Sequence, residues 1–136
     1  MKLALTMAFV VLTLSASGAG MAHTSCAALY AMAKQHANDM ARRDSLDHAG
    51  FMRYRGPKGA AAENVAVGCA TEACARQVWM NSPPHRANMM LGGCQAVASA
   101  VSKSGRRYWV MEIGGGGGGA SVGLGHDFSI EGNNPH

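Results

Sequence analysis

Cysteines place the tightest limit on how this chain can fold. Cys26, Cys69, Cys74 and Cys94 are an even set of four, which reads as two disulfides with three possible pairings. Cys69 and Cys74 enclose only the four residues ATEA and form the local choice, which leaves Cys26 for Cys94. A zinc cluster would want paired C-x2-C spacings, and the chain has none. Disulfides persist in oxidising compartments, so this reading also predicts a protein that leaves the cytoplasm.

The N-terminus supports export. MKLALTMAFVVLTLSASGAGMA places Lys2 before an apolar run from Leu3 to about Leu14 and then small residues, the layout of a secretory signal peptide. Gly20 and Ala22 stand at the small-residue positions of a cleavage site after Ala22. The apolar run is shorter than the ~20 residues a spanning helix needs. Loss of 22 of the 136 residues leaves 114, enough for one domain with one modest core. The expected product is secreted or periplasmic, monomeric, and without stable membrane insertion after cleavage.

Charge excludes one class of partner. Removing the leader removes Lys2, so 11 basic residues face 8 acidic ones and the net charge is +3. Arg42-Arg43, Arg53, Arg55 and Arg106-Arg107 are scattered, with no aromatic interleaving, so no nucleic-acid partner is expected.

Leu29, Met32, Ala33, Ala37, Met40 and Ala41 follow a 3.6-residue period and predict one amphipathic helix over 27–43. His36 falls on its buried stripe and reads as a satisfied core histidine. Residues 44–62, with Gly50, Gly56, Pro57 and Gly59, read as loop. ENVAVG forms a short apolar stretch after Glu63. Thr71 and Glu72 open a second helix through Trp79. Ser82 as cap and Pro83 as first residue open a third, ended by Gly92-Gly93. CQAVASAVSK and RRYWVMEI, joined through Lys103-Ser104-Gly105, predict a β-hairpin. Helices first and strands last predict an α+β fold. Gly114 to Gly119 lack the spacing and the Lys-Ser/Thr of a phosphate loop, so 115–136 is expected to be a linker and a disordered tail.

Three groups are candidates for one site: His48 just past the first helix, Glu63, and His85 at the third helix's start. Two imidazoles and a carboxylate supply nitrogen and oxygen donors and leave a position for water, as open divalent sites require. A helix start also favours the neutral imidazole that ligation needs.

The strings AMAKQHANDMARRDSLDH, AENVAVG, VWMNSPPHRANMML and YWVMEIG, in that order, resemble a bacterial CAP domain, also called the SCP or cysteine-rich secretory protein family. The match runs from about Leu29 to Gly114. Its most specific pieces are Glu63-Asn64 and the set Trp79, Ser82 and His85. The resemblance implies an α-β-α sandwich, with a small antiparallel sheet between helical layers. It also implies a shallow cleft where histidines matching His48 and His85 and a glutamate matching Glu63 can hold a divalent ion such as zinc. Many eukaryotic members carry a second glutamate after the tryptophan helix; here that stretch is MNSPP, without an acid, and Glu112 is not assigned as its replacement. The extra N-terminal helix of typical bacterial members is also missing, so the domain looks shortened. A Cys26–Cys94 bridge would offset that loss.

The resulting expectation is an exported binding module whose His/Glu cleft takes a divalent metal, a small lipid-like molecule or an envelope ligand. The alternatives are a metal-assisted hydrolase using His48, Glu63 and His85 as catalytic candidates, and a structural protein with a vestigial cleft. A Ser82–His85 nucleophile pair is disfavoured, because the hydroxyl is needed as a cap and no G-x-S-x-G elbow is present.

Overall fold

The computed structural model describes residues 24–115 and the backbone of 129–131. The expected leader and its cleavage site lie outside the described residues. Helix α1 spans Cys26–Arg43. Ser25 caps it, its Oγ accepting from the Ala28 N–H at 3.1 Å. At the other end Asp44 turns left-handed (φ 51°), and Arg42 and Arg43 face the negative pole of the helix dipole. Its buried stripe is Leu29, Ala33, His36, Ala37, Met40 and Ala41, as the period predicts. Three of the six are alanines, which let the helix axis lie close to the sheet.

Strand β1 (Ala60–Val67) begins earlier than the apolar stretch suggested. Helices α2 (Glu72–Asn81) and α3 (Pro83–Met89) follow, then the hairpin of β2 (Cys94–Val101) and β3 (Arg107–Gly114). The hairpin turn closes through Ser102 N–H to Arg106 O at 2.8 Å. The antiparallel part of the sheet runs in the order β2-β3-β1.

Side chains alternate across a strand, and both faces of this sheet are covered. Val65, Val67, Tyr108 and Val110 pack beneath Ala33, Ala37 and Met40 of α1. Ala62, Ala66, Trp109, Met111 and Ile113 face the other way, against Ala75 and Trp79 of α2. The fold is the α-β-α layering that the resemblance implied. Trp79 is fully buried, and its indole N–H finds Val65 O at 3.1 Å, satisfying its one polar atom.

Both expected disulfides are present. Cys26–Cys94 joins the first turn of α1 to the start of β2, and Cys69–Cys74 closes the loop before α2.

Two segments differ from expectation. Within the predicted loop, Phe51–Arg55 forms a π-helical turn, with Arg55 N–H reaching Gly50 O and Gly56 N–H reaching Phe51 O. Gly50 enters it at φ 79°, a conformation that costs glycine little. In the expected tail, Ser129–Glu131 run as a short strand, β4, parallel to Val65–Val67 of β1. The edge of β1 offers unpaired backbone groups there, and an extended segment that reaches them is paired whatever the linker before it. The rest of the tail lies outside the described residues. Gly114 itself is part of the sheet: a Cβ there would stand 2.4 Å from Gly59 O.

Candidate functional site

The centre of the site is Glu63, in the middle of β1 and facing α1. Its Oε1 accepts from His48 Nδ1 at 2.7 Å and from Arg55 Nη2 at 3.0 Å, and its Oε2 accepts from Arg55 Nε at 2.6 Å. His36 Nε2 lies 3.8 Å from Oε1. Directly across in the β1–β3 register stands Glu112, fully buried. One guanidinium therefore serves two carboxyl groups.

Arg55 reaches this position because the π-helical turn carries it inward; it is only 8% exposed. Its Nη1 also donates to Ala49 O at 2.9 Å, which fixes the fork. Arg55 Nε is 2.9 Å from Glu112 Oε1, but its single N–H is engaged by Glu63. Neither Glu112 oxygen consequently has a hydrogen-bond partner among the described residues. A buried carboxylate in that state is costly, so the group keeps its proton. Burial first, and the adjacent Glu63 second, push Glu112 up to about 11. Burial also works against the Glu63 anion, but contacts with His48, Glu112 and Arg55 outweigh it and bring Glu63 down to about 2. The pair thus holds one proton, on Glu112, whose O–H can turn to Glu63.

His36 is a satisfied core residue. Its Nε2 lies 2.8 Å from Asp47 O, a carbonyl that only accepts, so Nε2 carries the proton. Burial lowers its pKa and keeps the ring neutral, although Glu63 opposes the shift.

Of the three expected site residues, the structure brings His48 and Glu63 into contact. His85, 2% exposed, belongs to the other side of the sheet. Asn64 follows Glu63 and so points to the opposite face, where its Nδ2 donates to His85 O at 3.1 Å and its Oδ1 accepts from Asn88 at 2.9 Å. The adjacent Glu-Asn pair therefore serves two layers: Glu63 anchors the α1 side and Asn64 anchors α3. His85 Nδ1 lies 2.8 Å from Ser82 Oγ. Ser82 occupies the cap position of α3 but makes no side-chain bond to the helix amides, contrary to the expected capping role. His85, three residues on, takes that hydroxyl instead, much as the third residue of a capping box reaches back to the cap.

A divalent ion does not fit these residues as arranged. Both Glu63 oxygens face a guanidinium within 3.0 Å, so a cation there would meet like charge at the atoms it needs. No group of three or more His, Cys, Asp or Glu side chains suited to a metal occurs among the described residues.

Above the cluster lies a cleft of about 370 Å³. Met32, Gln35 and Asp39 of α1 form one wall, and Ala49, Tyr54 and Lys58 the other, with His36 and Arg55 at its base. Tyr54 stands 57% exposed at the lip.

The model of the cysteine-rich secretory protein family, CAP, matches residues 17–113. The chain belongs to this family. Comparison with curated proteins and with solved structures found no match. Within this CAP domain, sequence reasoning counted Arg55 among scattered charges and declined Glu112 as a stand-in for the second family glutamate, yet both lie at this site. Arg55 lay in a segment read as loop. Glu112 carried a usable signal, a lone acid between Met111 and Ile113 in a strand apolar on both faces. Only the register with Glu63 shows what that acid does.

Proposed function

We propose that this CAP-family protein is an exported binding module whose cleft between α1 and the π-helical turn takes a small amphiphilic ligand. The observation that carries the reading is the 370 Å³ cleft with an already saturated base. Its size falls in the range of small-molecule sites. Met32, Ala49 and Tyr54 offer apolar contact, and Gln35, Asp39 and Lys58 offer polar contact at the rim. Beneath them Arg55, Glu63 and His48 bind one another, which shapes the floor and leaves it poorly suited to chemistry. A general base works best with a pKa near the operating pH. Glu63 near 2 is too weak a base and Glu112 near 11 too reluctant an acid for hydrolysis at neutral pH. Two disulfides suit life outside the cytoplasm. Among the described residues, no helix is long and apolar enough to cross a membrane.

The test is a titration of isotope-labelled protein with a monomeric lysophospholipid and with a medium-chain fatty acid, followed by NMR. Shifts concentrated at Met32, Gln35, Tyr54 and Lys58, and weakened several-fold by Tyr54→Ala, are expected. Shifts scattered over the surface, or equal in Tyr54→Ala, would refute the cleft as the binding site.

A further inference from the structure

The strands β1, β3 and β2 come level at one end of the sheet, where Ala60, Gly114 and Cys94 share a rung. A small core cluster of Leu29, Ala60 and Ala96, with Phe51 packed against it, closes that end. Around it stand five of the six large apolar side chains exposed among the described residues: Tyr30, Met52, Tyr54, Met90 and Leu91. The sixth, Val101, lies at the hairpin turn, at the opposite end of the sheet. We propose that the Ala60 end of the molecule is a docking surface for an anionic membrane.

The fold holds each of these side chains in place. Tyr30 follows Leu29 in α1, whose start is tied to Cys94 by a disulfide. Met52 and Tyr54 flank Arg53 on the π-helical turn, which Phe51 and Arg55 anchor from the inside. Met90 and Leu91 lead from α3 towards β2, and Gln95 Nε2 donates to Met89 O at 2.8 Å beside them. Single exposed apolar residues are ordinary; their gathering at one end marks an interaction surface. Because α1 and the π-helical turn lie on one face of the sheet and α3 on the other, the apolar tips straddle the sheet's end. A flat partner can touch both sides at once, and a small ligand cannot.

Charge identifies the partner. Arg53 and Lys58 are exposed at this same end and form no ion pair among the described residues. Thr24 Oγ1 donates to Lys58 O at 2.6 Å, which fixes that loop beside the start of α1. Such a mixture suits the boundary of a bilayer. Methionine enters the acyl region, tyrosine keeps its ring apolar and its hydroxyl wet, and basic side chains reach anionic headgroups. The same surface on a second copy would also be positive, which disfavours self-pairing. Tyr54 and Lys58 line the cleft above Glu63 as well, so docking brings the mouth of that cleft to the bilayer, where amphiphiles reside. The docking surface stands on the exposed side chains alone, whereas its use in loading the cleft rests on the function proposed above.

The mature protein is sedimented with vesicles of phosphatidylcholine alone and of equal parts phosphatidylcholine and phosphatidylglycerol. It should bind the anionic vesicles and leave them as salt rises. Arg53→Gln and Lys58→Gln should each weaken binding about fivefold, the value of one cation near an anionic surface. Met52→Asp and Met90→Asp, on opposite faces of the sheet, should each weaken it at least as much. Val101→Asp makes the same charge change at the far end and should leave binding unaltered. All five side chains are exposed, so the variants should melt with wild type. Met90 lies outside the cleft, so Met90→Asp should keep wild-type affinity for the monomeric fatty acid. Fatty-acid binding without vesicle binding overturns docking and spares the cleft; vesicle binding without fatty-acid binding supports docking and removes the cleft. Equal binding to both kinds of vesicle, an equal loss in Val101→Asp, or a loss in only one of Met52→Asp and Met90→Asp overturns the proposal. So does a dimer that Met90→Asp dissociates.

Discussion

Glu112 and Glu63 face each other across two strands with Arg55 between them, so either carboxylate can serve as the counter-ion. This arrangement predicts strong coupling between substitutions. Glu112→Gln replaces a protonated acid with a neutral group of the same shape and should change stability little near pH 5. Glu63→Gln removes the anion, but Glu112 can then ionise beside Arg55 and recover part of the loss. The double variant leaves a buried guanidinium unpaired, a change that costs about 3–5 kcal/mol in comparable pairs. Urea unfolding of the four proteins should therefore show the double variant well below the sum of the singles. Simple additivity would mean that the two acids act independently.

The same pair sets the pH response. Folding raises the Glu112 pKa above its ordinary 4.5, so between about pH 4.5 and 11 the native state holds a proton that the unfolded chain releases. Stability on this account falls as pH rises through that window, by at most about 1.4 kcal/mol per pH unit for one proton. Glu63 acts oppositely and lower down: its contribution is present above pH 4.5 and lost as pH falls towards about 2. His36, held neutral, disfavours the fold as pH falls below its ordinary 6.5. Comparing urea midpoints at pH 5 and pH 8.5, Glu112→Gln should gain on wild type at the higher pH. Parallel profiles for the two proteins would remove Glu112 from the account. Zinc offers a further check at these residues. It should leave the wild-type melting temperature unchanged, and a rise abolished by His48→Ala would restore the metal reading.

Among the elements, α1 depends most on a covalent tie. Its buried stripe is rich in alanine, so each residue contributes less apolar area than a leucine would. The Cys26–Cys94 bridge spans 68 residues and holds the helix start against β2, whereas Cys69–Cys74 spans only 5. Loop-closure entropy assigns about 4 kcal/mol to the first and about 2 to the second. Cys26→Ser/Cys94→Ser should thus lower the melting temperature more than Cys69→Ser/Cys74→Ser does. The opposite order would show that the local loop, through Cys69 O and Trp109, governs the sheet's α2 side.

At the scale of the whole molecule, β4 extends the sheet along an edge that would otherwise face outward. The described pairing of β4 covers only Val65–Val67 of β1. Truncation after Gly115 should therefore lower the melting temperature by a few degrees at most. Amide exchange in β1 around Val65–Val67 should quicken in the same variant, while the β2–β3 pairing keeps its protection. A drop of many degrees would show that the tail covers apolar surface as well as backbone.

Local regularities determined much of this architecture before any contact was known. The stripe from Leu29 to Ala41 specified α1 and its buried face, because a 3.6-residue period is a property of one segment. The hairpin through Lys103-Ser104-Gly105, the three helices, both disulfides and the CAP resemblance were readable for the same reason. His48 and Glu63 were nominated together, and they touch. What sequence could not decide was which side chains share a face and a register. Glu63 and Asn64 are neighbours in the chain, yet the strand sends them to opposite sides of the sheet, and His85 goes with Asn64. Glu112 lies 49 residues from Glu63, and only antiparallel pairing sets them opposite one another. Arg55 joins them through a π-helical turn that no simple periodicity announces. Composition and spacing supplied the candidates, but the shared proton and the single guanidinium arise from long-range pairing, which no local stretch of residues encodes.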